Sequence, residues 1–212
     1  MNFEILALIG INFLLTKKGF DDPMFMHKYR FNVGAIQNGD KFRMLSSGFL
    51  HVDWNHFIFN MLTLYFFGPF VMAYLGKVPF LLIYLFCLLF GNFIALKAHQ
   101  NQKNYSAVGA SGAIMGIIYS AILLAPENKI YVFFLIGMPS YVFGLLYLLY
   151  SIYGLKKQND GIGHAAHIGG AIGGFISMIV LSFHSIVDHY WVAILLFIPI
   201  IYVGFLIKNN KI

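Results

Sequence analysis

Apolar runs alternate with short polar clusters along the 212-residue chain. The runs cover about residues 2–16, 55–75, 78–96, 107–125, 130–155, 161–183 and 190–207. Runs of this kind predict membrane-crossing helices, because about 20 residues at ~1.5 Å each span a hydrocarbon core of about 30 Å. The acidic residues fall between the runs, apart from Glu4 at the start of the first. That first run is short, so it tilts little or thins the bilayer around it. No basic region precedes it and no small-residue cleavage site follows, so it reads as a retained helix. Pro69 is tolerated inside the second run, and Pro199 kinks the seventh. Gly137 and Pro139 break the fifth, whose first part reads as re-entrant or kinked.

Residues 17–54 form a polar segment between the first two runs. It holds six of the fourteen Lys and Arg residues, interleaved with Phe20, Met24, Phe25, Phe31, Phe42 and Phe49. That mixture predicts a folded loop lying partly in the membrane interface.

Composition agrees with the pattern. The chain is 59% hydrophobic and only 10% charged, whereas soluble domains carry about 25% charged residues. The fold class read here is an all-α membrane protein: one domain over 1–212, without internal repeats or linkers. The net charge of +6 places loop lysines near lipid headgroups and gives no nucleic-acid site. The single Cys87 has no partner for an internal disulfide and reads as lipid-facing or packed.

The chemistry lies in the polar residues inside the runs. Ser111 is flanked by Gly109 and Gly112, about five residues into the fourth run. On a helix this puts its hydroxyl roughly 7 Å below the polar edge, where a polar group needs a partner or a purpose. His56 and Asn60 are four apart and share a helix face. His164 and His167 open the sixth run. The second, fourth and sixth runs all enter from one side, so Asn60, Ser111 and His167 reach similar depth on that side. Each also has a plain packing reading. Gly112 and Gly116 make a small-xxx-small pair, Asn60 can bridge two helices, and His167 can bond a core carbonyl. Their shared depth favours a nucleophilic site instead. Ser111 then attacks a carbonyl, and His167 takes its proton and returns it to the leaving amine. His56, Asn60 and the Ser111 backbone N–H donate to the oxyanion. No carboxylate lies at that depth, since Asp160 sits at the membrane edge. A Ser-His dyad is expected, its imidazole oriented by packing or a neighbouring aromatic ring. A zinc site built on His51, His56, His164 and His167 lacks the H-E-x-x-H arrangement and any buried acid. Neither metal nor cofactor is expected.

Three stretches resemble a known family. His51-Val-Asp-Trp-Asn-His56-Phe-Ile-Phe-Asn60, Gly109-Ala-Ser111-Gly112 and Ala166-His167-Ile-Gly-Gly170 are similar, in order and spacing, to the motifs of the rhomboid intramembrane serine proteases. The resemblance covers about residues 41–182. It implies a six-helix transmembrane bundle, with the run at about 190–207 as an added seventh helix. It implies Ser111 as nucleophile, His167 as base, and His56 and Asn60 as oxyanion donors. His51 matches a loop-anchoring histidine, Gly109 the residue before the catalytic pair, and Gly170 the close packing of the fourth and sixth spans. Two positions depart from the family: Phe42-Arg43 stands for its Trp-Arg, and Val71-Met72-Ala73 replaces a stretch that often holds a glutamate.

The expected activity is cleavage of transmembrane segments of membrane proteins by a multi-pass protein, bacterial in type, of the inner membrane. A catalytically silent scaffold or chaperone is the alternative, disfavoured because both Ser111 and His167 are present. A proton-relay transporter is disfavoured by the absence of buried acids and repeats. Orientation sets two arguments against each other. The resemblance puts the active site on the extracytoplasmic side. Twelve of the fourteen Lys and Arg residues also fall on the active-site side, which the positive-inside rule assigns to the cytoplasm.

Overall fold

The computed structural model describes residues 2–132, 135–157 and 161–208. Asp160 and residues 209–212 lie outside the described residues. The order begins with α1 (Phe3–Asp21), then the short helices α2 (Pro23–Tyr29), α3 (Val33–Gln37) and α4 (Arg43–Ser46), with strand β1 (Phe31–Asn32) before α3. The long helices α5 (Trp54–Leu75) and α6 (Lys77–Ala98) follow, then β2 (Ser106–Ala107) and α7 (Ser111–Leu124). A hairpin of β3 (Lys129–Val132) and β4 (Ile136–Pro139) leads into α8 (Ser140–Lys157). The order ends with α9 (His164–Leu181), α10 (Phe183–Asp188) and α11 (Tyr190–Lys208). Among the described residues, α5, α6 and α9 are long and apolar enough to cross a membrane, and α7 and most of α11 are shorter apolar helices. The architecture is an all-α membrane bundle.

α7 is the axis of that bundle. Every residue from Gly112 to Leu124 is buried, as an apolar helix with no polar face requires. α5, α6 and α9 enclose it. The approach of α9 is set by glycine. A Cβ on Gly170 would collide with the carbonyl oxygen of Gly112, and one on Gly174 would lie 2.5 Å from that of Gly116. α7 and α9 therefore run side by side in register, one glycine rung per turn. Cys87 of α6 fills the space beside this ladder, against Gly116 and Gly173. It is packed, not lipid-facing.

Several expectations are corrected. α1 continues past residue 16 to Asp21, where the salt bridge between Lys17 and Asp21 spans its last turn. The fifth run does not begin as a helix. Residues 129–132 pair antiparallel with 136–139, and Tyr131 faces Gly137. The missing side chain at Gly137 admits the Tyr131 ring, whose Cε1 would lie 2.9 Å from a Cβ there. The Ser140 hydroxyl donates to the Pro126 carbonyl at 2.9 Å and closes the base of the hairpin.

The polar segment is folded, as expected. Phe31 and Asn32 pair antiparallel with Ala107 and Ser106, and Val33 N–H donates to the Tyr105 carbonyl at 3.1 Å. Arg43, the residue of the departed motif, binds Asp40 at 2.7 Å and the His27 and Arg30 carbonyls at 2.8 and 3.1 Å. One guanidinium thus ties the end of α2 to the turn that leads into α4.

Candidate active site

The most consequential correction concerns Ser111. It is the first residue of α7, not the fifth. Residues 106–110 are non-helical because β2 pairs with β1 and Gly109 adopts φ +140°, a region that L side chains rarely enter. Gly109 N–H donates to the Ser47 carbonyl at 3.0 Å. A helix of 14 residues is about 21 Å long, well under the ~30 Å of the hydrocarbon core. Ser111 therefore stands at the start of a short helix preceded by ordered loop, not inside a long one. Such non-helical backbone is tolerated at membrane depth where it lines a protein cavity.

The structure brings the predicted residues together. Ser111 Oγ lies 2.7 Å from Nε2 of His167. His167 is buried in the first turn of α9, and its other ring nitrogen, Nδ1, lies 2.9 Å from the Tyr147 hydroxyl on α8. A Cβ built on Gly109 would sit 2.9 Å from His56 Nε2 and 3.6 Å from Ser111 Oγ. The absent side chain is what lets His56 approach the serine. Asn60 is buried one turn below His56 and donates through Nδ2 to the His56 carbonyl at 2.9 Å. Its second amide proton remains for another acceptor. Ser111 and Gly112, at the start of α7, carry N–H groups that no turn of helix precedes.

His51 lies behind this set. It is fully buried, its Nδ1 is 2.9 Å from Thr16 Oγ1 of α1, and its ring meets that of His56 edge-on at 5.0 Å. Burial, with a smaller contribution from His56, lowers the His51 pKa to about 3, so it is neutral at ordinary pH. Gly112 and Gly170 form the upper rung of the helix ladder and set the distance between Ser111 and His167. His164 packs against Gly154 of α8. Among the described residues, no three His, Cys, Asp or Glu side chains come together as a metal site.

His56, Asn60, Gly109, Ser111, His164 and His167 line a cleft of about 1060 Å³ between α5 and α8. Phe59, Leu62 and Phe66 line it from α5, Phe143 and Tyr147 from α8, and Ile130 and Tyr131 from the hairpin. Sequence reasoning missed Thr16, Ser47 and Tyr147. Tyr147 is one of thirteen tyrosines, and no spacing marks it. Only the packing of α8 against α9 brings it to His167.

A helical membrane bundle that sets a serine at a helix start against a buried imidazole defines a narrow class, and comparison with known proteins names it. A family model for the Rhomboid domain matches residues 38–185. The chain is 27% identical over 167 residues to the Arabidopsis thaliana protein named RHOMBOID-like protein 12, mitochondrial, covering 72% of this chain and 50% of that one. It is 31% identical over 137 residues to the Homo sapiens presenilin-associated rhomboid-like protein, mitochondrial, covering 62% and 35%. With rhomboid protease GluP of Bacillus subtilis (strain 168) it shares 32% over 147 residues, covering 69% and 27%. The match thus spans half or less of each of these relatives. The chain belongs to the rhomboid family.

Proposed function

We propose that this rhomboid protein is an intramembrane serine endopeptidase that cleaves transmembrane segments of membrane proteins. The observation that carries the reading is the 2.7 Å contact between Ser111 Oγ and His167 Nε2, at the head of an apolar cleft. A transmembrane segment enters between α5 and α8, and its backbone reaches Ser111 at the loop end. His167 takes the hydroxyl proton as Oγ attacks the carbonyl carbon. The tetrahedral oxyanion is held by the Ser111 N–H, His56 and Asn60. His167 then gives its proton to the leaving amine, and water hydrolyses the acyl-enzyme with the same base. No cofactor takes part. The whole chain forms one such domain, with α11 added to the six-helix core. We place it in a bacterial cell membrane with Ser111 toward the extracytoplasmic side.

The test uses purified protein and a panel of model transmembrane substrates, with labelling by a serine-directed fluorophosphonate alongside. Cleavage and labelling are expected in the wild type and absent in Ser111→Ala. A scaffold without protease activity would bind the panel and cut none of it. Equal cleavage by wild type and Ser111→Ala would sink the reading.

A further inference from the structure

Within the serine-protease reading above, the dyad still needs something to fix the imidazole. His167 serves as base only as the tautomer whose proton is on Nδ1, because Nε2 must accept from Ser111 Oγ. The opposite tautomer would donate from Nε2 and leave the serine without a base. In hydrolases with a third residue a carboxylate makes that choice, and the wrong tautomer alone costs about 10⁴ in rate.

Here Nδ1 faces a phenol. The Tyr147 hydroxyl is 2.9 Å from His167 Nδ1, and the rings are 6.0 Å apart at 36°. The contact is therefore a hydrogen bond at the ring edges, not a stack. The ring of His164 meets that of His167 edge-on at 6.2 Å.

α8 is held in place on both sides of Tyr147. One turn before it, the buried Tyr119 hydroxyl of α7 donates to the Gly144 carbonyl at 2.5 Å. Two turns after it, the His164 ring of α9 occupies the space that a side chain on Gly154 would fill. These contacts fix the height of Tyr147 against α7 and α9, the helices that carry Ser111 and His167. Tyr147 also lines the cleft.

We propose that Tyr147 is the positioning residue of the dyad: its hydroxyl oxygen accepts the Nδ1 proton of His167, so that seating of α8 against α7 and α9 arms the base. A wall of the substrate cleft and the orientation of the base are then one element. A segment that displaced α8 would disarm His167, and one that left α8 seated would meet a competent serine.

The test is Tyr147→Phe, which keeps the ring and removes the acceptor. The expected fall in kcat is about ten- to a hundredfold, with KM changed less than about twofold. The acid limb of kcat/KM should move to lower pH. Imidazolium loses the acceptor for its Nδ1 proton, so the neutral base persists into more acidic solution. The readout independent of turnover is the nitrogen NMR of protein labelled with ¹⁵N-histidine. His167 should be the Nδ1–H tautomer in the wild type and a mixture in Tyr147→Phe. A lowered kcat with an unmoved acid limb and unchanged ¹⁵N pattern would mean that Tyr147 only packs, and would overturn the proposal. If the wild type cuts no substrate, the protease reading fails by itself, and the ¹⁵N pattern still decides whether Tyr147 sets the tautomer.

Discussion

Thr16 Oγ1 lies 2.9 Å from Nδ1 of the buried His51 and 3.3 Å from the Phe49 carbonyl, so one hydroxyl joins α1 to the loop that leads into α5. If Thr16 donates to Phe49, it accepts from His51 Nδ1–H, and the buried Nε2, which meets no hydrogen-bond partner among the described residues, disfavours a second proton.

That arrangement makes stability depend on pH. The His51 pKa is lowered from 6.5 to about 3 by burial. The unfolded chain takes up a proton below about pH 6.5 that the folded chain refuses until about pH 3. Stability from neutral His51 is therefore complete at high pH and lost as pH falls through that window. Between pH 7 and 5 the loss is about 2 kcal/mol. Thermal unfolding of wild type and His51→Asn at the two pH values checks this. The wild type should lose more, and parallel losses would exclude His51 as the source.

Gly170→Ala should suffice to separate the dyad. Its Cβ meets the Gly112 carbonyl, a backbone atom that cannot turn aside. Overpacking of this kind costs about 1–3 kcal/mol, and a 1 Å displacement of His167 from Ser111 lowers the rate about 10²-fold. Tm and cleavage rate are the readouts. A wild-type value for both would contradict the close approach of α7 and α9.

Gly109→Ala should act on His56. The new methyl group meets the imidazole at 2.7 Å and stands on backbone with φ +140°, a strain of about 1–3 kcal/mol. The expected result is a lower kcat and a lower Tm. Full activity would show that His56 need not sit where Gly109 admits it.

Asn60→Ala separates oxyanion binding from proton transfer. Loss of one oxyanion donor lowers kcat by about 10²–10³ with KM little changed, whereas His167→Ala should leave only background. Steady-state kinetics of the two variants will tell. If Asn60→Ala matches His167→Ala, Asn60 does more than donate to the oxyanion.

Orientation has its own test. The folded loop already engages many of the cations that argue for a cytoplasmic site. Lys17 pairs with Asp21 and Arg43 with Asp40, and Lys18 and Lys28 lie over the rings of Phe25 and Tyr29. With seven spans and Ser111 toward the extracytoplasmic side, an alkaline phosphatase fused after Ile212 is expected to be active. Fluorescence of a cytoplasmic reporter at the same point would favour the charge rule, or an α11 that does not cross.

The candidate site was legible because its side chains fall near the starts of three runs that were expected to enter from one side, and Asn60, Ser111 and His167 do line one cleft. Counting from each entry point placed Asn60, Ser111 and His167 together without any knowledge of packing. Counting failed at the loops. Hydropathy alone extended the fourth run back to residue 107, yet pairing of Ser106 and Ala107 with Asn32 and Phe31, 74 and 76 residues earlier in the chain, is a tertiary event that no local signal reports. The hairpin at 129–139 was hidden for a related reason, since its strands are as apolar as a membrane helix and only Gly137 and Pro139 marked the break. Tyr147 was invisible because its role depends on the rotation of α8, which is fixed by Tyr119 and His164 on other helices.

The shortness of α7 has a consequence for solvent. Its 14 residues leave about 9 Å of membrane thickness unfilled by helix. That gap is room for about three hydrogen-bonded waters in file at ~2.8 Å apiece. On the protease reading, hydrolysis needs a molecule that the bilayer excludes, and a helix that stops short beneath a loop lining the cleft gives that molecule a route to Ser111.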